Sequence, residues 1–352
     1  MGNRQSTIKG DSFMNTSFEN AQIIVCVGSG GVGKTTLSAS LGFLAAQKNK
    51  RVLVLTIDPS QRLKTTLNLA DDGEIYQVHH PLLEKTNGKL FAGVINAKKT
   101  FDEFVKKASK VDEVANRILK NKLYIQLSTT LSGSQEFTAL EKLYSAKESN
   151  NYDLIILDTP PSQHAIDFLK APQKLSRLFN EGIAKWFRDP KAQKIGFISS
   201  IVYSGTKQVL KILENLTGSE FMKQLADFFN NIESWQGQLD ERVSAVHRLL
   251  VHPTTHFFLV TSFDYAKLKE AEYFNREIKK DGYQLTTIII NRAHPEWIDL
   301  RQEAQLDSQS KLAELYNQMK KYYSEREQMY SLFSKKMTTS NQVVRLPELE
   351  SD

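Results

Sequence analysis

The sequence predicts an α/β fold, a doubly wound and mostly parallel sheet with an inserted helical subdomain. Three observations predict it. Short β-branched runs recur along the chain, and they are continuously apolar rather than alternating, as strands covered on both faces are. Stretches of helical periodicity separate them, which implies parallel strands joined by crossovers. The first strand runs into a glycine-rich turn that opens a helix, "GSGGVGKTTLS" from Gly28.

In order, the expected strands are 22–27 (QIIVCV), 51–57 (RVLVLTI), 89–95 (KLFAGVI), 153–158 (DLIILD), 255–261 (THFFLVT), 285–291 (LTTIIIN) and 342–346 (QVVRL). Helices are expected at "KTTLSASLGFLAAQ" after the first strand and "YAKLKEAEYFNREIKK" between the fifth and the sixth. Two connections, 98–150 and 163–250, hold several amphipathic helical stretches and no convincing strand. Structureless loops of that length do not fit a compact domain. They are therefore expected to form a helical subdomain within a domain spanning 21–352, after a polar N-terminal arm at 1–20.

Composition narrows the classes. The chain has 352 residues and a formal charge of +6, which permits an acidic partner without arguing for one. No nucleic-acid partner is expected. Its one cysteine, Cys26, lies inside an apolar strand. That excludes an internal disulfide or a C-x-x-C zinc site and fits a reducing, cytoplasmic setting. We read no signal peptide and no apolar run of the ~18 residues a membrane span needs. Membrane association is expected only through a partner. "MGNRQS" matches the short myristoylation pattern through Gly2 and Ser6, but the arm is read as unmodified and flexible.

The glycine-rich turn reads G-x-x-x-x-G-K-T, between a strand and a helix, the context that gives the pattern its meaning. Gly28, Ser29, Gly30, Gly31, Val32, Gly33, Lys34, Thr35 and Thr36 are the expected cradle. Glycines let backbone N–H groups converge on phosphate oxygens, and the helix start adds its positive end. Lys34 supplies charge to the β- and γ-phosphates, and the Thr35 hydroxyl can hold Mg2+. The expected ligands are ATP and Mg2+ on a P-loop NTPase sheet.

Two aspartates follow. Asp58 ends the second strand in "TIDPSQRL". It can orient or deprotonate the attacking water or act on Mg2+, and its plainer reading is a turn aspartate before Pro59. Asp158, after four apolar strand residues, is a Walker B carboxylate for the Mg2+ shell, and "TPPSQH" after it can move as a switch. His164, within that switch, is read as a structural histidine at a helix start.

At these residues the chain resembles a known family. "GSGGVGKTT", "DPSQRL", "DTPPSQHAIDFL" and "IIINR" occur in the order of the arsenite-pump and tail-anchored-protein targeting (ArsA-like) ATPases. These belong to the deviant Walker A class, which includes the ParA/MinD partitioning ATPases. The resemblance runs over about 21–350, and is nearest to single-copy bacterial members of unassigned role. It implies an ATPase working as a homodimer that opens and closes with nucleotide. It implies that Asp58 activates water and that Asn291, with Arg292 after it, binds adenine. Asp264 stands where the family carries a nucleotide-contacting glutamate. Leu346 and Pro347 match the loop lining the adenine pocket. Chains of the family continue from there into a last helix, so an end at Asp352 is consistent with a trimmed chain.

Departures from the pattern matter as much. The class usually has lysine at position 29, reaching the partner's phosphates; Ser29 has neither that charge nor that length. Turnover is then slow, or another base substitutes, with Arg62 the candidate and a solvated helix-start arginine its alternative. The zinc-binding cysteine pair of the targeting factors and the several cysteines of the arsenite pumps are absent. The resemblance therefore implies an apolar helix or membrane-protein segment as client more than a metalloid. The ParA/MinD-like positioning role and an ATP-binding scaffold without turnover stay open. Within 186–235, Val209, Ile212, Leu213 and Leu216 share one helical face, and Phe221, Leu225, Phe228, Ile232 and Trp235 another, with Met222 nearby. We read them as subdomain core, with a client groove as the functional alternative.

Overall fold

The structure is a computed structural model describing residues 20–57, 73–109, 112–121, 124–125, 134–159, 168–173, 236–293, 311–338 and 341–348. Asp58, Arg62, His164 and the 186–235 segment lie outside the described residues.

Eight strands form one sheet: β1 (Ile23–Val27), β2 (Arg51–Thr56), β3 (Ile75–Val78), β4 (Lys89–Val94), β5 (Leu154–Asp158), β6 (Thr255–Ser262), β7 (Leu285–Asn291) and β8 (Gln342–Arg345). Their order is β3-β4-β2-β5-β1-β6-β7-β8. Every neighbouring pair is parallel except β3 with β4. The helices described are α1 (Lys34–Gln47), α2 (Ala97–Ala108), α3 (Asp112–Lys120), α4 (Ser134–Glu148), α5 (Gln236–Leu250), α6 (Tyr265–Lys280) and α7 (Lys311–Met337). All seven expected strands are present, and α1 and α6 coincide with the two helical patterns quoted above. Strand β3 was not expected. Its four residues IYQV lie half exposed at the antiparallel edge, so they carry no two-sided apolar signature.

That signature has a direct structural cause in the centre. Ile23, Val25, Ile155, Leu157, Phe257, Leu259, Ile288 and Ile290 point to one face, packed with Leu140 and Leu143 of α4, Phe274 of α6 and Phe333 of α7. Ile24, Cys26, Val52, Val54, Ile156, Phe258 and Ile289 point to the other, under Ala39, Leu41, Ala45 and Ala46 of α1. Both members of each alternating pair are buried, so the alternation disappears from the sequence. Helix α1 lies low on its face. A Cβ at Gly42 would sit 2.5 Å from Val54 Cγ2 and 3.2 Å from Leu90 Cδ1.

The helices at 97–148 pack a separate aromatic cluster. Phe101 stacks on Tyr124 at 5.7 Å and meets Phe137 edge-on, and Phe104 meets Phe137 at 5.5 Å. The Tyr124 hydroxyl donates to Asp102 at 2.6 Å. Helix α5 is pinned to α4 by Arg242. Its guanidinium reaches Glu141 at 3.1 Å and Glu148 at 3.0 Å, and lies 4.4 Å over the Tyr144 ring. No described helix is long and apolar enough to cross a membrane.

Candidate functional site

The site is built at the carboxyl ends of the parallel strands, where open α/β sheets hold ligands. Strand β1 stops at Val27 and the chain turns at Gly28, whose φ is 149°. A side chain there would overlap the Val260 carbonyl oxygen of β6, so the loop can leave the sheet only through glycine. Gly33, in the left-handed region at φ 90°, is the N-cap of α1. It offers no capping side chain, and the first turn of α1 holds no acidic residue. The positive end of the helix therefore faces the loop uncompensated by a carboxylate of its own. Gly30, Gly31 and Thr36 are exposed, while Ser29, Val32, Lys34 and Thr35 are buried.

The charged and hydroxyl groups then converge. The Lys34 ammonium donates to the Ser29 carbonyl at 2.8 Å, leaning back across the loop. The Thr35 hydroxyl donates to Asp158 Oδ2 at 2.8 Å. Asp158 is fully buried, and the parallel register sets it beside Cys26 of β1 and Thr56 of β2. From there the Thr56 hydroxyl donates to the same Oδ2, also at 2.8 Å. A buried carboxylate is costly unless charge or hydrogen bonds compensate it, and these two hydroxyls supply part of that compensation. Just beyond, the Thr159 hydroxyl donates to the Cys26 carbonyl at 2.8 Å and closes the strand end.

Thr56 is a site residue that sequence reasoning missed. The available signal was a hydroxyl at the end of an apolar strand, two residues before Asp58. It acquires meaning only when the strand order puts β2 against β5.

Of the remaining expected residues, Asn291 ends β7 and its side-chain amide donates to the Val32 carbonyl at 2.9 Å. It thus meets the glycine-rich loop directly. Arg292 follows in the left-handed region at φ 51°. The Ala293 N–H then donates to the Leu346 carbonyl, and the Leu346 N–H to the Ile290 carbonyl, each at 2.9 Å. The Leu346–Pro347 loop is thereby fastened to the end of β7. Asp264 stands at the end of β6 as the N-cap of α6, where Oδ1 accepts from the Ala266 and Lys267 amides at 3.0 and 3.3 Å. Helix capping is the role its geometry displays.

Cys26 is buried, and that burial pushes its thiol up to about 12. A thiol held protonated is neither nucleophile nor metal ligand. Oxygen donors are the ones grouped here: the Thr35 hydroxyl and the Asp158 carboxylate suit a hard cation such as Mg2+.

Known proteins resemble the chain over most of its length. A family model described as anion-transporting ATPase (ArsA_ATPase) matches residues 21–349. The chain is 25% identical over 319 residues to a protein of Aquifex aeolicus (strain VF5) provisionally named arsenical pump-driving ATPase 1, covering 88% of this chain and 72% of that one. It is 25% identical over 268 residues to ATPase ASNA1 homolog 2 of Paramecium tetraurelia, covering 75% and 74% respectively. A second Aquifex aeolicus protein, provisionally named arsenical pump-driving ATPase 2, is 23% identical over 278 residues, covering 76% and 79%.

Proposed function

The chain belongs to the ArsA family of anion-transporting ATPases, and from that premise we propose that it is a Mg2+-dependent ATPase whose homodimer couples nucleotide state to the handling of an apolar client. The observation that carries the reading is the junction of Thr35 with Asp158 at 2.8 Å beneath a glycine loop holding Lys34. It joins the phosphate-binding and metal-binding halves of a P-loop site.

In this reading Gly28–Thr36 bind the phosphates and Lys34 swings from the Ser29 carbonyl to the β- and γ-oxygens. Thr35 and Asp158 hold Mg2+, which neutralises phosphate charge when bound. Asp58 orients the attacking water. Asn291, Arg292, Leu346 and Pro347 surround the adenine, and Asp264 contributes from the β6 end. The 98–150 and 163–250 segments make the client-handling subdomain, and association with a membrane is through a partner. Binding of a metalloid by thiolate is disfavoured by the burial of Cys26, the chain's sole cysteine. We propose a cytoplasmic location.

Ser29 favours a second reading, an ATP-binding chaperone or scaffold that barely turns over. It lacks the cation that a lysine at this position would bring to the partner's phosphates, a contribution of ~10³–10⁵ in rate when such a base acts in trans. Steady-state phosphate release and sedimentation with and without ATP test both, with Lys34→Ala as the binding-deficient control. Release and ATP-dependent dimers in wild type, absent in Lys34→Ala, support the ATPase. Binding without release supports the scaffold. A wild-type chain that binds no ATP ends both readings.

A further inference from the structure

The bond between Asn291 and the phosphate loop reaches further than base recognition. Asn291 lies 259 positions from Val32, yet its Nδ2 donates to the Val32 carbonyl at 2.9 Å. The fit is mutual: a Cβ on Gly33 would overlap the same Nδ2, so the loop leaves room for this amide. Asn291 is itself well held. Its backbone pairs with Ser262 of β6, and the turn after it is tied to Leu346.

A trans peptide is planar, and its C=O and N–H point in opposite directions. Anchoring the Val32 carbonyl toward β7 therefore aims the Gly33 N–H to the opposite side of that peptide. A flip of that peptide turns on ψ of Val32 and φ of Gly33, and glycine at the second of these positions offers little resistance to it. An external anchor is what selects one orientation.

We propose that Asn291 is a positioning residue for phosphate binding: through the Val32 carbonyl it fixes the shape of the loop before any base is bound. An amide has two N–H donors and one acceptor oxygen. Holding Val32 uses one donor and leaves the other groups for an adenine edge. The one side chain thereby joins the base end of the site to the phosphate end. This inference rests on reading Gly28–Thr36 as a triphosphate site, and the test separates the two.

The probes are Mg2+ with inorganic tripolyphosphate, which has no base, and AMP, which lacks the polyphosphate. Both are titrated calorimetrically against wild type, Asn291→Ala and Asn291→Leu. Leucine keeps the branched shape without the donor. Loss of one hydrogen bond predicts tripolyphosphate binding weakened roughly 3–10-fold in both variants, with thermal melts nearly unchanged. Unchanged tripolyphosphate affinity alongside weaker AMP binding would reduce Asn291 to a base contact and overturn the inference. So would a wild type that binds ATP but no tripolyphosphate, since its loop would depend on the base. Failure of both variants to fold would make the residue structural and overturn it too. A wild type that binds neither ATP nor tripolyphosphate would overturn the nucleotide reading itself, and the inference with it.

Discussion

Gly42→Ala sets two effects against each other. Gly42 lies inside α1, where alanine is the better helix former by about 1 kcal/mol. By propensity alone the substitution stabilises. The new Cβ, however, would stand 2.5 Å from Val54 Cγ2, 3.2 Å from Leu90 Cδ1 and 3.8 Å from Ile156 Cδ1. Carbon atoms prefer about 3.5–4.0 Å. The nearest contact is therefore short by about 1 Å, against a β-branched side chain with few rotamers to yield into. Overpacking of this kind costs about 1–3 kcal/mol. With the fully buried Val54 as its neighbour, the upper end applies, and the net is a loss of about 1–2 kcal/mol, or roughly 1–3 °C in melting temperature for a chain of this length. The strain has a functional reading as well, because α1 carries Lys34 and Thr35. Lifting the helix stretches the 2.8 Å bond from Thr35 to Asp158, so ATP affinity should fall together with stability. Val54→Ala removes the obstructing methyl. In the Gly42→Ala background it should cost at least about 1 kcal/mol less than in wild type, a coupling that a double-mutant cycle reads directly. Melts and ATP titrations of the four proteins decide the matter. If Gly42→Ala melts higher than wild type, the packing argument is refuted and α1 is free to settle elsewhere.

Thr56→Val keeps the shape of the side chain but removes a donor to Asp158 Oδ2. Losing about 1 kcal/mol of hydrogen bonding should slow phosphate release severalfold while ATP affinity moves less, and an equal loss of both would place Thr56 in nucleotide binding instead. Ser29→Lys should raise turnover in proteins shown to be dimeric, and an unchanged rate would mean that position 29 does not face the partner's phosphates. Arg242→Ala leaves Glu141 buried beside α5 without its cation and should cost about 2–3 kcal/mol, less than a fully enclosed pair because Arg242 keeps some contact with solvent. Burial raises the Glu141 carboxyl above its ordinary value while Arg242 opposes that rise, so removing the cation raises it further. A carboxyl raised on folding favours the folded state below its unfolded pKa and loses that advantage as pH rises through the folded value. The variant's deficit should therefore be smallest at pH values near the ordinary carboxyl range and grow as pH rises above it, and a deficit that grows on acidification would contradict the assignment.

The strands were legible because two-sided burial prints continuous apolar runs, as "IIVCV" and "LIILD" show, and the phosphate loop because its spacing is a local property of nine residues. What escaped was relational. β3 carries the one-sided, short pattern of an edge. Thr56 looks like any strand threonine until Asp158 is placed beside it through the β2–β5 register. Asp264 and Asn291 were found only through resemblance, and the structure gives each a backbone task that spacing could not foretell: a helix cap for one, a loop anchor for the other. Arg242 drew no notice, since a cation paired to α4 reads from the chain as one charge among many on a solvated helix.

Of the described strands β1 is synthesised before the others, yet it lies between β5 and β6, and its exit glycine abuts Val260. The loop that follows it finds Asp158 123 positions later and Asn291 259 positions after Val32. During translation, the phosphate loop leaves the ribosome long before the residues that shape it. At ~5–20 residues per second it waits many seconds for them. A growing or truncated chain ending before β7 should consequently hold ATP poorly, and contacts of such long sequence separation close slowly even in the finished protein. Nucleotide then acts as an inspector of completeness: it stabilises only chains whose last strands have docked, and incomplete ones are left to proteolysis without its protection.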